Sequence, residues 1–235
     1  MKRNQLLGML PFYLLAAILC IGAACFGSDA VTAVAESRPV VRYHTVVIDA
    51  GHGGIDGGAT SCTGMLESAL NLQIALRLND LMHLFGYDTV MIRTSDVSIH
   101  TSGETIAAQK VSDLRQRVRI VNETPNAVLV SIHQNTFSDS RYGGAQVFYT
   151  DNEQSRELAH LLQTALCQTV NEGSNRKSKM AKGVYLMNHI QNTGVLVECG
   201  FLSNPQEEAM LRDAEYQKKL CNVILSAVSD FINKS

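Results

Sequence analysis

The apolar runs of this chain do not alternate with polar residues. Tyr43–Asp49 (YHTVVID), Ala127–Ile132 (AVLVSI) and Val195–Cys199 (VLVEC) are short, rich in β-branched residues and apolar almost throughout. A strand with one wet face has a period of two, whereas a strand covered on both faces does not. The segments between these runs carry the other period. From Glu67 to Phe85, Leu70, Ile74, Leu78, Leu81 and Phe85 recur at three- and four-residue steps, which predicts an amphipathic helix ended by Gly86 as its C′ residue. Strands that alternate with helices and are buried on both faces predict an α/β fold, an αβα sandwich around a mostly parallel sheet.

The same reading places further strands at Tyr87–Arg93, Gln146–Thr150 and Gly183–Met187. Helices are expected at Ser112–Val121 (capped by Ser112 or Asp113), at Asp151–Val170, from Asn204-Pro205 onward, and at Glu215–Ile232. Thr94–Lys110 and Asn171–Lys182 read as long polar loops, a kind of segment that often carries function.

In open α/β sheets, ligands collect beyond the carboxyl ends of the strands. Four residues are expected there. His52 lies in the glycine-rich loop AGHGGIDGG after the first strand, His133 ends the run AVLVSIH, Glu198 ends the last apolar run, and Glu67 opens a helix. Each has an ordinary reading when taken alone. A strand-end histidine is usually structural, and a first-turn glutamate is stabilised by the helix dipole in any case. A glutamate on an apolar run, however, is costly unless it is paired, protonated or catalytic. Taken together, two imidazoles and a carboxylate make a three-ligand Zn²⁺ set that leaves a tetrahedral position for water. On this reading His52, Glu67 and His133 bind Zn²⁺ and Glu198 moves a proton. Asp49 and Asn135 are expected to support the ligands, and Asp56 to serve as a turn residue. His44, His83, His100, His160 and His189 have no partner pattern and stay outside the site.

The rest of the sequence bounds the function. The formal net charge is −2, aromatics make up 6%, and Trp is absent, so no basic face or stacking platform for nucleic acid is expected. Lys2 and Arg3 precede an apolar stretch, Leu6–Phe26, long enough to cross a bilayer as a helix. Residues 1–35 are therefore read as a signal peptide cleaved after Ala35 or as an uncleaved membrane anchor, 36–42 as a linker and 43–235 as the catalytic domain. Either outcome exports the domain. Cys62, Cys167, Cys199 and Cys221 are scattered and are expected to be mostly buried thiols, with a Cys62–Cys199 bridge as the alternative.

The segments IDAGHGGIDGGA, GMLE, TSD, LRQRVRIVN, VSIHQN and VECGFLSNPQE, in this order, resemble the zinc-dependent N-acetylmuramoyl-L-alanine amidases of the amidase-3 type. The resemblance spans Val46–Ile232 and implies a sheet of about six strands. It matches His52, Glu67 and His133 to the zinc ligands and Glu198 to the catalytic glutamate. GGAQVFYT and RKSKMAKGVYLMNH are similar to the germination-specific, CwlD-type amidases of endospore formers. That narrower resemblance implies a peptidoglycan substrate in spore cortex, a step toward muramic-δ-lactam, a membrane or lipoprotein activator, and a location in the forespore intermembrane space. A zinc peptidase, a polysaccharide deacetylase and a non-catalytic wall-binding domain are the alternatives.

Overall fold

Thr45–Ala50 forms β1, and the chain then enters the glycine-rich loop. The computed structural model describes residues 44–234; the leader read at 1–35 and the linker at 36–42 lie outside the described residues. After the loop come α1 (Glu67–Leu84), β2 (Thr89–Met91), α2 (Ile106–Glu123), β3 (Ala127–Asn135), β4 (Gln146–Tyr149) and α3 (Glu153–Thr169). The chain ends with β5 (Lys179–Met180), α4 (Tyr185–His189), β6 (Thr193–Phe201), α5 (Pro205–Arg212) and α6 (Ala214–Lys234).

The six strands make one sheet in the order β2-β1-β3-β6-β4-β5. β2, β1, β3 and β6 run parallel; β4 is antiparallel to β6, and β5 follows β4 in parallel. The sheet is therefore mixed and mostly parallel, as the unalternating strands predict. One face packs Val46, Ile48, Val128, Val130, Ile132 and Val197 against Leu70, Ile74 and Leu78 of α1, Leu158 and Leu162 of α3, and Ile224 and Val228 of α6. The other face packs Val47, Leu129 and Leu196 against Val121 of α2 and Leu186 and Met187 of α4. Among the described residues, no helix is long and apolar enough to cross a membrane.

Local signals set several boundaries. Gly86, at φ 81°, closes α1 by donating its N–H to the His83 carbonyl at 3.0 Å. The Asn204 side chain caps α5 by accepting from the N–H groups of Gln206 and Glu207, with Pro205 in the first turn.

Three sequence expectations are corrected. Helix α2 starts at Ile106 and is capped by Thr105, whose hydroxyl accepts from the Ala108 N–H at 3.2 Å, so Ser112 and Asp113 lie inside it. Its buried residues are Ser112, Asp113, Arg117 and Val121, and its packed apolar residues, Val118, Ile120 and Val121, lie only in its second half, so its first turns offer no apolar stripe to read. Gly183–Met187 is not a strand; its second half belongs to the short helix α4. Five residues are too few for either period to declare itself. Strands β3 and β6 also run further than expected, to Asn135 and Phe201, so His133 lies within β3 rather than past its end, while Glu198 lies within β6 as expected.

Candidate metal centre

Strand register brings the first two site residues together. His133 on β3 is the direct partner of Glu198 on β6. Alternation puts both side chains on the α2/α4 face, beside Leu129 and Leu196. Cys199, next in sequence, faces the opposite core, where burial pushes its thiol pKa far up. Cys199 is therefore excluded as a nucleophile. All four described cysteines are free, which rules out the Cys62–Cys199 bridge.

The loop after β1 delivers His52. Its backbone has φ 63°, a conformation costly for a residue with a Cβ. Two arginines hold the segment in place. Arg117 donates to the carbonyls of Ala50 at 3.0 Å and His52 at 2.7 Å, and Arg93 donates to the carbonyls of Ala50 at 2.8 Å, Gly51 at 3.0 Å and Ser68 at 2.8 Å. The glycines make room for the approach. A Cβ on Gly51 would lie 2.2 Å from the His133 ring, and one on Gly58 would lie 2.6 Å from Glu67 Oε2.

Glu67 at the start of α1 lies between the two imidazoles. His133 Nδ1 is 2.9 Å from Glu67 Oε1, His52 Nε2 is 3.2 Å from Glu67 Oε2, and the two rings meet edge to face at 5.0 Å. One donor atom from each of the three residues lies within 4.8 Å of the others. The carboxylate is held by N–H groups from Ala59 at 2.9 Å, Gln134 at 3.2 Å and the Asn71 side chain at 3.2 Å. Burial disfavours its charge, but both histidines outweigh burial and leave its pKa far below the usual carboxylate range. Burial likewise opposes a charged His52, yet Glu67 and Asp56 raise its pKa to about 9. The cluster therefore favours positive charge at its centre. Its two nitrogen donors and one carboxylate, in a glycine cradle, fit Zn²⁺.

Asp56 is more than a turn residue. Its Oδ2 accepts from His52 Nδ1 at 2.9 Å, and its Oδ1 binds Lys110 Nζ at 2.8 Å. This fixes the tautomer that presents Nε2 toward Glu67. Asp49 supports the site indirectly. It is buried, accepts from the Ser131 hydroxyl at 2.6 Å and pairs with Arg117. The Asn135 side chain accepts from the Thr136 N–H, and the structure gives it no imidazole contact. Arg93, Arg117, Asn71 and Gln134 were not singled out from sequence. The one trace of Arg117 is its place among the arginines of LRQRVRIVN.

Glu198 is the remaining carboxylate. Its Oε2 is shielded from solvent and has no hydrogen-bond partner. Burial, with a smaller opposing pull from His133, moves its pKa up to about 7. A cavity of about 340 Å³ opens beside the cluster, lined by His52, Lys110, Leu114, His133, Val184 and Leu196 among others.

Comparison with known proteins agrees with this geometry. The family model described as N-acetylmuramoyl-L-alanine amidase matches residues 46–230. The germination-specific N-acetylmuramoyl-L-alanine amidase of Bacillus subtilis (strain 168) is 35% identical over 185 residues, which is 78% of this chain and 77% of that protein. The structure of the CwlD amidase from Clostridioides difficile, solved in complex with the GerS lipoprotein, is similar with a TM-score of 0.78 at 34% identity. That match covers 82% of this chain and 100% of the other. The catalytic domain of CwlV from Bacillus (Paenibacillus) polymyxa is similar with a TM-score of 0.68 at 26% identity, covering 82% of this chain and 99% of the other.

Proposed function

This chain belongs to the N-acetylmuramoyl-L-alanine amidase family, and on that premise we propose that its site works with Zn²⁺ held by His52, Glu67 and His133 and with Glu198 as the proton carrier. The bond broken is the amide between the lactyl group of N-acetylmuramic acid and L-alanine in peptidoglycan. The observation that carries the assignment of roles is the register pairing of His133 with Glu198, which sets a partnerless carboxylate beside the ligand cluster.

When bound, Zn²⁺ supplies a Lewis acid that makes water more acidic and polarises the amide carbonyl. The chain's own residues do the rest. Glu198 accepts the proton of the attacking water and delivers it to the departing alanine nitrogen, which is a poor leaving group until protonated. Burial raises the Glu198 pKa above the ordinary carboxylate value, which favours its protonated form and so the delivery of the proton to the departing nitrogen. Asp56 orients His52, while Asn71 and the Gln134 N–H orient Glu67. The amidase reaction replaces the peptidase and deacetylase alternatives.

The relatives, and the leader read in the sequence, support a setting outside the cytoplasmic membrane. The Clostridioides difficile relative was solved with a lipoprotein, which supports a membrane-attached lipoprotein as activator here. Residues 1–35 would export or anchor the domain, with 43–235 acting on cortex peptidoglycan in the forespore intermembrane space.

The test is Glu198→Gln. Gln keeps the shape and cannot take the proton, so hydrolysis of intact peptidoglycan, followed through newly freed L-alanine amino groups, should fall by at least about a hundredfold. Activity within a few-fold of wild type would remove Glu198 from the mechanism, and released acetate in place of amino groups would contradict the amidase reaction.

A further inference from the structure

The segment between β3 and β4 leaves the site carrying two half-exposed aromatic rings. Phe137 and Tyr142 are 49% and 50% exposed, and their rings pack on each other at 4.5 Å with a 55° tilt. Two large exposed aromatics on a surface loop usually bury themselves or meet a partner.

This loop is tethered to the strands that build the metal centre. It begins three residues after His133, and Gln146, which opens β4 at its far end, pairs across the ladder with Glu198. The Phe137 N–H donates to Ser203 Oγ at 3.0 Å, and the Asn204 side chain donates to the Tyr142 carbonyl at 3.2 Å. The Gly144 N–H donates to Glu207, and Arg176 donates to the Gly143 carbonyl at 2.6 Å. Ser203, Asn204 and Glu207 all follow β6, the strand of Glu198. The rings are thus fixed relative to both site strands before any ligand arrives, which lowers the ordering cost of binding.

Beside Tyr142 is a shallow cavity of about 410 Å³ lined by Asp139, Arg141, Tyr142 and Gly143. Asp139 and Arg141 close a fork on each other, with Nη2 at 2.7 Å from Oδ2. The cavity therefore combines the Tyr142 ring, on which Phe137 packs, with planar hydrogen-bonding groups and no net charge. A pyranose offers the matching surface: a C–H face to lie on a ring and hydroxyl and acetamido groups to bond a carboxylate or guanidinium. The peptide stem, rich in carboxylates, would meet a cation already neutralised by its neighbour.

We propose that Phe137, Tyr142 and the Asp139–Arg141 pair form a glycan subsite that holds a sugar of the peptidoglycan strand flanking the muramyl unit whose amide is cut. This deepens the amidase reading and rests on it.

The test uses the full-length protein and, as probe, peptide-free glycan strands of alternating N-acetylglucosamine and N-acetylmuramic acid, with binding measured by calorimetry. Replacing both rings, Phe137→Ala with Tyr142→Ala, should weaken glycan binding roughly tenfold, the size of a lost aromatic contact together with its buried area. Tyr142→Phe keeps the ring face and should bind as the wild type does, which separates loss of stacking from loss of fold. Unchanged glycan affinity in the double variant overturns the proposal, as does a variant that loses affinity for free stem peptide while keeping its affinity for glycan. Hydrolysis of intact peptidoglycan by the wild type is scored separately. Its absence even with the lipoprotein activator present would count against the amidase reading and leave the glycan result to stand or fall alone.

Discussion

Strand β3 has one chemistry on each face. Val128, Val130 and Ile132 point into a dry core against α1, α3 and α6, while Leu129, Ser131 and His133 point toward α2 and α4. The dry face is apolar along its whole length. The other face starts apolar and turns polar toward the carboxyl end, through Ser131 and its partner Asp49 to His133 and Glu198. One face supplies most of the apolar burial. The other takes polar groups that no core would hold: Ser131, Asp49 and His133 are each answered by a named partner, and Glu198 alone is left without one. Stability and function thus share a strand but alternate along it.

The comparison predicts that the two faces fail differently. The largest effect on stability is expected from Arg117→Met. Arg117 is buried and pairs with Asp49 and Asp113. Removing it strands a buried carboxylate, so denaturant unfolding should show a loss of about 3–5 kcal/mol. The His52 loop should loosen as well, because its carbonyl loses a donor. A loss below about 1 kcal/mol would show that the polar face does not depend on this pair.

On the dry face, Leu162→Ala removes a fully buried side chain that touches no site residue. It should cost about 2–5 kcal/mol while zinc content and turnover of the folded fraction stay at wild-type levels. A matching loss of activity at temperatures where the variant is folded would mean that the faces are not separable.

The smallest effect is a pH signature. Burial raises the Asp49 pKa, but Arg117, His133 and the Ser131 hydroxyl outweigh burial and leave it below the ordinary value of 3.8. A carboxyl whose folded pKa is depressed stabilises the fold above its unfolded pKa, and that stability is lost as pH falls below 3.8 toward the folded value. In Arg117→Met the Asp49 carboxylate has lost its cation, and protonating it relieves the stranded charge. The stability gap between wild type and variant should therefore narrow on acidification, first above pH 3.8 as the variant's Asp49, raised by burial, takes up its proton, and then below pH 3.8 as the wild type loses its own contribution. A gap that stays constant over that range would place the effect elsewhere.

Both faces were legible in the sequence to different degrees. The dry face wrote itself in hydrophobic period: Leu70, Ile74 and Leu78 mark α1, and the unalternating strands mark a sheet covered on both sides. The ligands were legible because glycines, histidines and glutamates at strand ends are unusual chemistry in usual places. The supports were not. Helix α2 turns Ser112, Asp113 and Arg117 inward, and its inward apolar positions Leu114, Val118 and Val121 begin only near its midpoint, so its first turns carried no period. Asp56 looked like a turn residue because its bond to His52 depends on the positive φ of the loop, which no spacing reports. Arg93 reaches carbonyls more than 40 positions away, and nothing local marks such a partner.

The central claim is that His52, Glu67 and His133 hold one zinc while Glu198, although adjacent in register, holds none. Metal content of the purified protein, measured by elemental analysis after dialysis against zinc, tests it directly. The account predicts one zinc per chain in the wild type and in Glu198→Gln, and loss of stoichiometric zinc in folded His52→Ala and His133→Ala. Zinc retained in both histidine variants, or lost from Glu198→Gln, would contradict it.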